Sequence, residues 1–355
     1  MTDSVQTAVV GVTGYSGAEL ARLLLHHPRL RGKPPVFAGR IDAEDAARGG
    51  IPLSEIHPQL IDSKGSGRLS LQSFSWDLLT DLDVQVLFLA IPHEQSRAWV
   101  PEALSRGIRV IDLSGAWRLN EAANRAVYSF EDEGSVQALN IQAQAVYGMP
   151  ELHRAKITGA RLVANPGCYA TSIILALKPL VAAGLIDLEH GIVADAKSGV
   201  SGAGKAPTAK THFMHAADNL SAYGVFSHRH TGELLEQLGI EAESITFTPH
   251  LLPIPRGILS TIYVRFKEPQ IKARIAHAYQ WFFAGSPMVR LHDTTLPNIH
   301  YSVRTNYADI GFQLASDGRR AVIVSCLDNL LKGASSQAVQ NLNVMLGWDE
   351  AEGLE

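Results

Sequence analysis

The sequence predicts an α/β protein in which a doubly wound parallel sheet is followed by a second, α+β part. Three observations carry that prediction. Short β-branched runs alternate with helix-length segments through the first half of the chain, as in strands buried on both faces and joined by crossover helices. The first run turns on glycines and continues into leucines at helical spacing. From about Gly191 the runs lengthen and are joined by loops and hairpin-like links, which reads as a mixed or antiparallel sheet.

In order, "TAVVGVTGYSGAELARLLLHHP" reads as strand, tight turn and helix, with Leu20, Leu23 and Leu24 on one helical face. "PPVFAGR", "VQVLFLAIP" and "IRVIDLSG" are the next strands, "EQSRAWVPEALSRG" is a crossover helix, and "RLVANPG" closes the unit. "GIVADAKSGVSGAGK", "ESITFTPHLLPIPRGILSTIYVRF" and "RRAVIVSCLDN" supply the longer strands. "NLLKGASSQAVQNLNVMLGW" carries Leu330, Leu331, Ala334, Ala338, Leu342 and Met345 at helical spacing and is expected to pack back on the first domain. The boundaries are therefore a nucleotide domain at 1–167, completed by a C-terminal helix at 330–349, and a second domain at 168–329.

Composition narrows the function. A net charge of -4 argues against a protein that neutralises nucleic-acid phosphates with a basic face, so small molecules are the expected partners. Two cysteines in 355 residues make no disulfide framework, and no Cys/His spacing resembles a metal ligand set, so no metal and a reducing cytoplasm are expected. "MTDSVQTAVVGVTG", with acidic Asp3 and glycine-broken apolar residues, reads as neither a signal nor a transit peptide. No apolar run approaches the roughly 20 residues that span a bilayer.

Gly11, Gly14 and Gly17 form G-x-x-G-x-x-G between the first strand and first helix. Such glycines let the backbone approach a pyrophosphate, and the helix N-terminus beyond offers N–H groups and a positive dipole end. A Rossmann-type dinucleotide site follows, with Thr13, Tyr15 and Ser16 on the same turn; a turn that only permits close packing is the other reading. Arg40 stands where an NAD-preferring domain shows an acidic residue, which favours the 2'-phosphate of NADP over a plain surface arginine. Pro92 in "AIPHEQS" and Arg118 in "DLSGAWR" end later strands at the carboxyl edge, where ligands bind.

Cys168 directly follows Asn-Pro-Gly and opens the run "CYATSIILALKPL". A thiol at a helix N-terminus is favoured as thiolate, and beside a nicotinamide it can accept an acyl group that then takes hydride. Cys326, inside "AVIVSC", reads as packing. "FSHRHTGE" offers His228 and His230 as proton carriers; the residues alone do not choose between them, nor exclude two surface histidines. "KSGVSGAGK" reads as a flexible run whose backbone could cradle an anion, with Ser198, Gly199, Ser201 and Gly202 in it. Arg256 in "PIPRG" and Asn329 in "DNLLKGA" complete the candidates.

Eight segments in order, "GVTGYSGAEL", "HPQL", "DLSGAWRL", "NPGCYAT", "SGVSGAGK", "AYGVFSHRHTGEL", "FTPHLLPIPRGI" and "DNLLKGA", resemble the N-acetyl-gamma-glutamyl-phosphate reductases across nearly the whole chain. The resemblance implies a nucleotide domain joined to a semialdehyde-dehydrogenase-like catalytic and dimerisation domain, hence a homodimer or homotetramer. It implies that Cys168 attacks the acyl phosphate, that NADPH reduces the thioester to a semialdehyde, and that His228 is base and acid with His230 secondary. Arg118 would contact phosphate, Asn329 the nicotinamide amide, and Ser198 to Gly204 would line cofactor and substrate. Gly232 departs from the pattern, since members often carry proline or another residue there; this touches local rigidity and leaves the histidines intact. The rivals are a reductase of aspartyl phosphate or of carrier-linked aminoadipyl phosphate, a non-catalytic NADP-binding sensor, and a cysteine hydrolase.

Overall fold

The computed structural model describes residues 5–61 and 69–355; Asp3, used in the reading of the N-terminus, lies outside them. The chain forms two compact units, one from Met1–Arg118, Asp132–Asn165 and Ser335–Glu355, the other from Leu119–Glu131 and Pro166–Ala334.

Among the described residues the first unit holds eight strands: β1 (Thr7–Val10), β2 (Val36–Gly39), β3 (Ile51–Pro52), β4 (Ser70–Ser73), β5 (Val86–Leu89), β6 (Arg109–Asp112), β7 (Ala145–Tyr147) and β8 (Leu162–Ala164). They lie in the order β3-β4-β2-β1-β5-β6-β8-β7, parallel throughout except where β3 meets β4. All four residues of β1 and of β5 are buried, as central strands covered on both faces require. The strand order reverses at β1, so the ligand edge of this sheet lies at the carboxyl ends of β1 and its neighbours. The helix Ser336–Met345 belongs to this unit and is buried along its whole length. Its polar side chains are spent internally: Asn341 Nδ2 donates to Gly148 O and Asn165 Oδ1, and Gln337 Nε2 also donates to Gly148 O.

The second unit holds β9 (Ile192–Gly199), β10 (Ser221–Ala222), β11 (Ile245–Leu252), β12 (Ile258–Arg265), β13 (Val289–His292), β14 (Ala308–Leu314) and β15 (Arg320–Leu327). Their order is β10-β11-β9-β12-β15-β14-β13, a mixed sheet in which β11–β9 and β13–β14 are parallel and the other pairs antiparallel. The helix Cys168–Ala182 lies on one face, its Ser172 hydroxyl bonded to Ser260 and Ser325 of the paired strands β12 and β15. The helix is buried nearly all round, since only Lys178 interrupts the buried stretch from Tyr169 to Leu180. Leu119–Glu131 is tied to this unit where the carboxylate of Glu236 accepts from the N–H groups of Asn120 and Glu121 and from Asn124 Nδ2.

One element departs from the sequence expectation. The spacing from Leu330 predicts a continuous α-helix, but Leu331–Ser335 is a wider π-type turn and the α-helix begins at Ser336. The cause is Asp328: its carbonyl accepts from Gly333 N five residues on, and its carboxylate accepts from Leu330 N and Leu331 N. Such wide turns occur frequently at functional sites.

Candidate active site

In the first unit the glycine turn is built tightly. Gly11 has φ +96° and a side chain there would stand 2.1 Å from the Ala90 carbonyl oxygen, so β1 and β5 approach only with glycine. A side chain at Gly17 would meet the Gly11 carbonyl oxygen at 2.1 Å. Gly14 differs: its φ is -83° and the closest atom to an added Cβ is 3.6 Å away, so nothing in the protein itself demands glycine there. That bare surface sits at the N-cap of the helix Tyr15–His26, which has no side-chain cap and no acid in its first turn. Backbone N–H groups and a positive dipole end with no competing carboxylate fit a pyrophosphate.

Around it, Thr13 and Tyr15 are exposed and Ser16 half-buried. Arg40 is exposed and immediately follows β2, which pairs with β1. Pro92 caps the helix His93–Ser105 just beyond β5. Arg118 is buried, and its guanidinium donates to the carbonyls of Asn165 and Leu113 at 2.7 and 2.8 Å. It therefore ties together the carboxyl ends of two strands, whatever else it contacts.

In the second unit, Cys168 is the first residue of a fifteen-residue helix with Gly167 as its N-cap. It is half-buried, whereas Cys326 is fully buried in β15, where burial, reinforced by the Asp309 carboxylate, pushes its thiol up to about 12. Cys326 is thus a packing residue, as the sequence predicts, and Cys168 is the more accessible of the two. Gly167 is obligatory, because an added Cβ would lie 2.3 Å from His230 Nε2. Gly333 is packed as closely on the other side, its position 2.7 Å from Cys168 Cβ if it carried a side chain.

His228 and His230 come together here, ring centroids 4.6 Å apart and nearly perpendicular. Tyr169 packs edge-on against both. Burial and the neighbouring Arg229 charge push His228 down to about 4. Two residues outside the sequence-based selection complete the cluster. Glu233, fully buried, accepts the Gly167 N–H at 2.9 Å and stands 3.9 Å from His230 Nε2. Tyr223 packs on His228, and its hydroxyl is pushed up by burial and by the nearby Cys168 charge. Their signals were the adjacency of "HTGE" and "AYG" to the histidines, which periodicity cannot weigh.

The run from Ser198 is less free than its composition predicts. The N–H groups of Gly199, Val200 and Ser201 already donate to the carbonyls of Gly257, Ile254 and Pro255, so the expected anion cradle is not built from those three amides. Gly199 is required by that approach, since a Cβ would meet Arg256 N at 2.7 Å. Ser198 is buried, and a Cβ at Gly202 would meet its hydroxyl at 3.1 Å. Asn329 holds the run in place: Oδ1 accepts from Gly257 N at 2.7 Å and Nδ2 donates to Ser201 Oγ at 2.9 Å. Both ends of the amide expected on the nicotinamide are thus engaged with the protein. Arg256, expected on substrate, forms a salt bridge at 3.0 Å with the fully buried Asp328.

Comparison with known proteins sets these sites in context. Residues 6–160 match the semialdehyde dehydrogenase NAD-binding domain, and residues 168–329 the semialdehyde dehydrogenase dimerisation domain. A protein of Methanococcus maripaludis strain C5 named N-acetyl-gamma-glutamyl-phosphate reductase is 39% identical over 98% of this chain and 97% of its own. Relatives of the same name from Dehalococcoides mccartyi and Desulfotalea psychrophila are 40% identical over 99% of this chain and 97% and 98% of theirs. Among solved structures, aspartate semialdehyde dehydrogenase II of Vibrio cholerae superposes with a TM-score of 0.69 at 16% identity, covering 96% of this chain and 98% of that one. A probable aspartate-semialdehyde dehydrogenase of Pseudomonas aeruginosa gives 0.67 at 22% identity over the same shares. At those identities the structural likeness speaks for the fold.

Proposed function

The chain belongs to the N-acetyl-gamma-glutamyl-phosphate reductases, and on that premise we propose that it reduces N-acetyl-γ-glutamyl phosphate to N-acetylglutamate 5-semialdehyde in arginine biosynthesis, with Cys168 as the nucleophile. The observation that carries the chemistry is the placement of Cys168 at the first position of a long helix, beside Gly167, Gly333 and the His228–His230 pair. The helix dipole favours thiolate there. Attack of Cys168 Sγ on the acyl carbon forms a C–S bond and breaks the C–O bond to phosphate, leaving a thioester. The residues of the glycine turn would hold NADPH, whose nicotinamide would supply the hydride that reduces the thioester. The thiohemiacetal then releases the aldehyde and returns Cys168 as thiolate.

Gly11, Thr13, Gly14, Tyr15, Ser16 and Gly17 would hold the pyrophosphate, and Arg40 the 2'-phosphate. Arg40→Ala should weaken NADPH binding by roughly 10- to 100-fold, the worth of one charge-assisted hydrogen bond, with NADH unchanged. Titration of both nucleotides by fluorescence checks it, and an unaltered preference would make Arg40 a bystander.

A second copy of the chain is the expected partner. The family description over 168–329 is a dimerisation domain, and the second sheet leaves an apolar row on the face opposite the helix Cys168–Ala182. Val193, Tyr263 and Val322 stand side by side across β9, β12 and β15, with Val193 44% and Tyr263 47% exposed. Burying that row drives association. Tyr263→Arg should turn the dimer into monomer at micromolar concentration in size-exclusion chromatography with light scattering; a retained dimer would move the interface elsewhere. No helix among the described residues is long and apolar enough to cross a membrane; a nucleophilic thiol keeps its activity best in a reducing compartment, which supports the cytoplasm as the expected location.

The reaction is tested backwards, because the acyl phosphate is labile. Protein, N-acetylglutamate semialdehyde, phosphate and NADP should produce reduced nicotinamide absorbance, while aspartate semialdehyde in a parallel cuvette gives none. Signal from the second cuvette alone would keep the thiol and overturn the substrate.

A further inference from the structure

We infer that His57 is a positioning residue of the nucleotide site. By donating from Nε2 to the Val12 carbonyl it fixes that oxygen inside the protein and the following amide outward, so that the glycine turn meets a pyrophosphate with N–H groups. This rests on the reading of the turn as a dinucleotide site, in which His57 otherwise has no task.

His57 stands forty-five positions after Val12 in the chain, and its Nε2 lies 2.7 Å from the Val12 carbonyl oxygen. A carbonyl can only accept, so the ring nitrogen facing it carries the hydrogen, and Nδ1 accepts from Gln59 Nε2 at 3.5 Å. Both partners are shut away from water, Val12 completely and His57 with 7% exposed. The ring is held through its own backbone: His57 N donates to Leu53 O at 2.7 Å, and Leu60 N donates to His57 O at 2.9 Å. Leu53 and Leu60 are buried, and Pro58 restricts the backbone of the histidine before it. Among the described residues no other group donates to the Val12 oxygen.

A peptide unit is planar, so the carbonyl of Val12 and the N–H of Thr13 point opposite ways. Fixing the oxygen on the His57 side sends the N–H to the other side, and Thr13 is exposed where Val12 is buried. Neighbouring carbonyls of the turn are likewise spent on protein. Gly11 O accepts from Gly14 N at 3.2 Å, Gly14 O from Ala18 N at 2.9 Å, and Ser16 O from Ser335 Oγ at 2.7 Å. The turn and its helix satisfy the glycine oxygens themselves, whereas the Val12 oxygen takes a side chain brought in from another segment. A carbonyl oxygen carries partial negative charge, and one left facing the ligand would repel a pyrophosphate where an amide attracts it.

The glycines make such a brace useful. Gly11 and Gly14 flank the Val12–Thr13 peptide, and glycine gives a chain more conformational freedom than any other residue. A carbonyl held by a buried histidine removes part of that freedom before a nucleotide arrives, which is preorganisation. The gain belongs to the pyrophosphate, a group common to NADPH and NADH. It is therefore separable from any effect of Arg40, which would act on the 2'-phosphate alone.

Nucleotide titrations by fluorescence decide it. His57→Ala should raise the dissociation constants of NADPH and NADH by the same factor, roughly tenfold, the worth of one hydrogen bond to an otherwise unsatisfied carbonyl; unchanged affinities would remove the role outright. Adenosine 2'-monophosphate, which has the adenosine end and no pyrophosphate, should bind this variant as it binds wild type, and equal weakening would reduce His57 to general support of the fold. His57→Gln, whose Nε2–H reaches the place of the ring Nε2–H, should return both dinucleotides to within about threefold of wild type. His57→Asn, whose amide reaches only the place of Nδ1, should not; identical behaviour of the two would overturn the assignment, and the contrast holds even if the alanine variant folds poorly. In the reverse reaction the loss should appear in the KM for NADP, with kcat at saturating NADP within about threefold of wild type, and a loss confined to kcat would contradict a positioning role at the nucleotide. Wild-type protein that binds neither dinucleotide would instead sink the dinucleotide reading itself.

Discussion

Cys168→Ser should lower turnover with N-acetylglutamate semialdehyde by on the order of 10⁴-fold or more, while the dissociation constant for NADPH stays within about twofold of wild type. A serine hydroxyl at this position remains protonated at neutral pH. The helix N-terminus that favours a thiolate cannot bring an alcohol into the same range. The size follows from losing covalent catalysis as a whole. Cofactor binding is spared because the glycine turn belongs to the other compact unit. Brief treatment of wild-type protein with iodoacetamide should label Cys168 and leave Cys326 untouched, since the latter is fully buried with its thiol pushed up to about 12. Residual turnover above a few per cent in Cys168→Ser would remove the thiol from the mechanism.

What the sequence made legible was local. The glycine turn lies within seven residues of one strand end and one helix start, so spacing alone located it, and buried β1 and β5 read as continuous apolar runs. Cys168 was visible for the same reason, because a thiol after Asn-Pro-Gly and before a helical run is a local pattern. The fold class followed from the alternation of such pieces.

What stayed hidden was made by distant contacts. Glu233 meets Gly167 across sixty-six positions, and Asn329 meets Gly257 across seventy-two. No periodicity records either, yet the first seats the turn before Cys168 and the second fixes the backbone after β9. The small residues from Ser198 to Gly204 look flexible in composition; in the structure the amides of Gly199, Val200 and Ser201 are tied to the strand connection at Ile254–Gly257, and Gly199 is glycine because Arg256 N comes so close. The glycines were read as flexibility for an anion, and the group that comes close to Gly199 is protein backbone. The wide turn after Leu330 was hidden too, because leucine spacing fits an α-helix as well as it fits a turn held open by Asp328.

Asp328→Ala should be the most damaging substitution for the stability of the second unit, costing about 3–5 kcal/mol as a broken buried ion pair and lowering its unfolding temperature by on the order of 10 °C. The carboxylate is fully buried and accepts from Arg256, from the N–H groups of Leu330 and Leu331, and from Arg304 N at 2.8 Å. Alanine leaves all of those donors without that acceptor. Activity should fall further than stability alone requires, because Asn329 and Gly333 follow on the same turn and touch Ser201 and Cys168. Arg256→Met separates two readings of the arginine. If Arg256 acts through Asp328, the variant loses thermal stability, and its KM for phosphate in the reverse reaction stays near the wild-type value. If Arg256 binds the phosphate directly, KM rises at least tenfold with little change in unfolding temperature, since Asp328 keeps its backbone N–H partners. The 3.0 Å salt bridge to a carboxylate shut away from water favours the first outcome, because freeing the guanidinium for a ligand would leave Asp328 buried without its counter-charge.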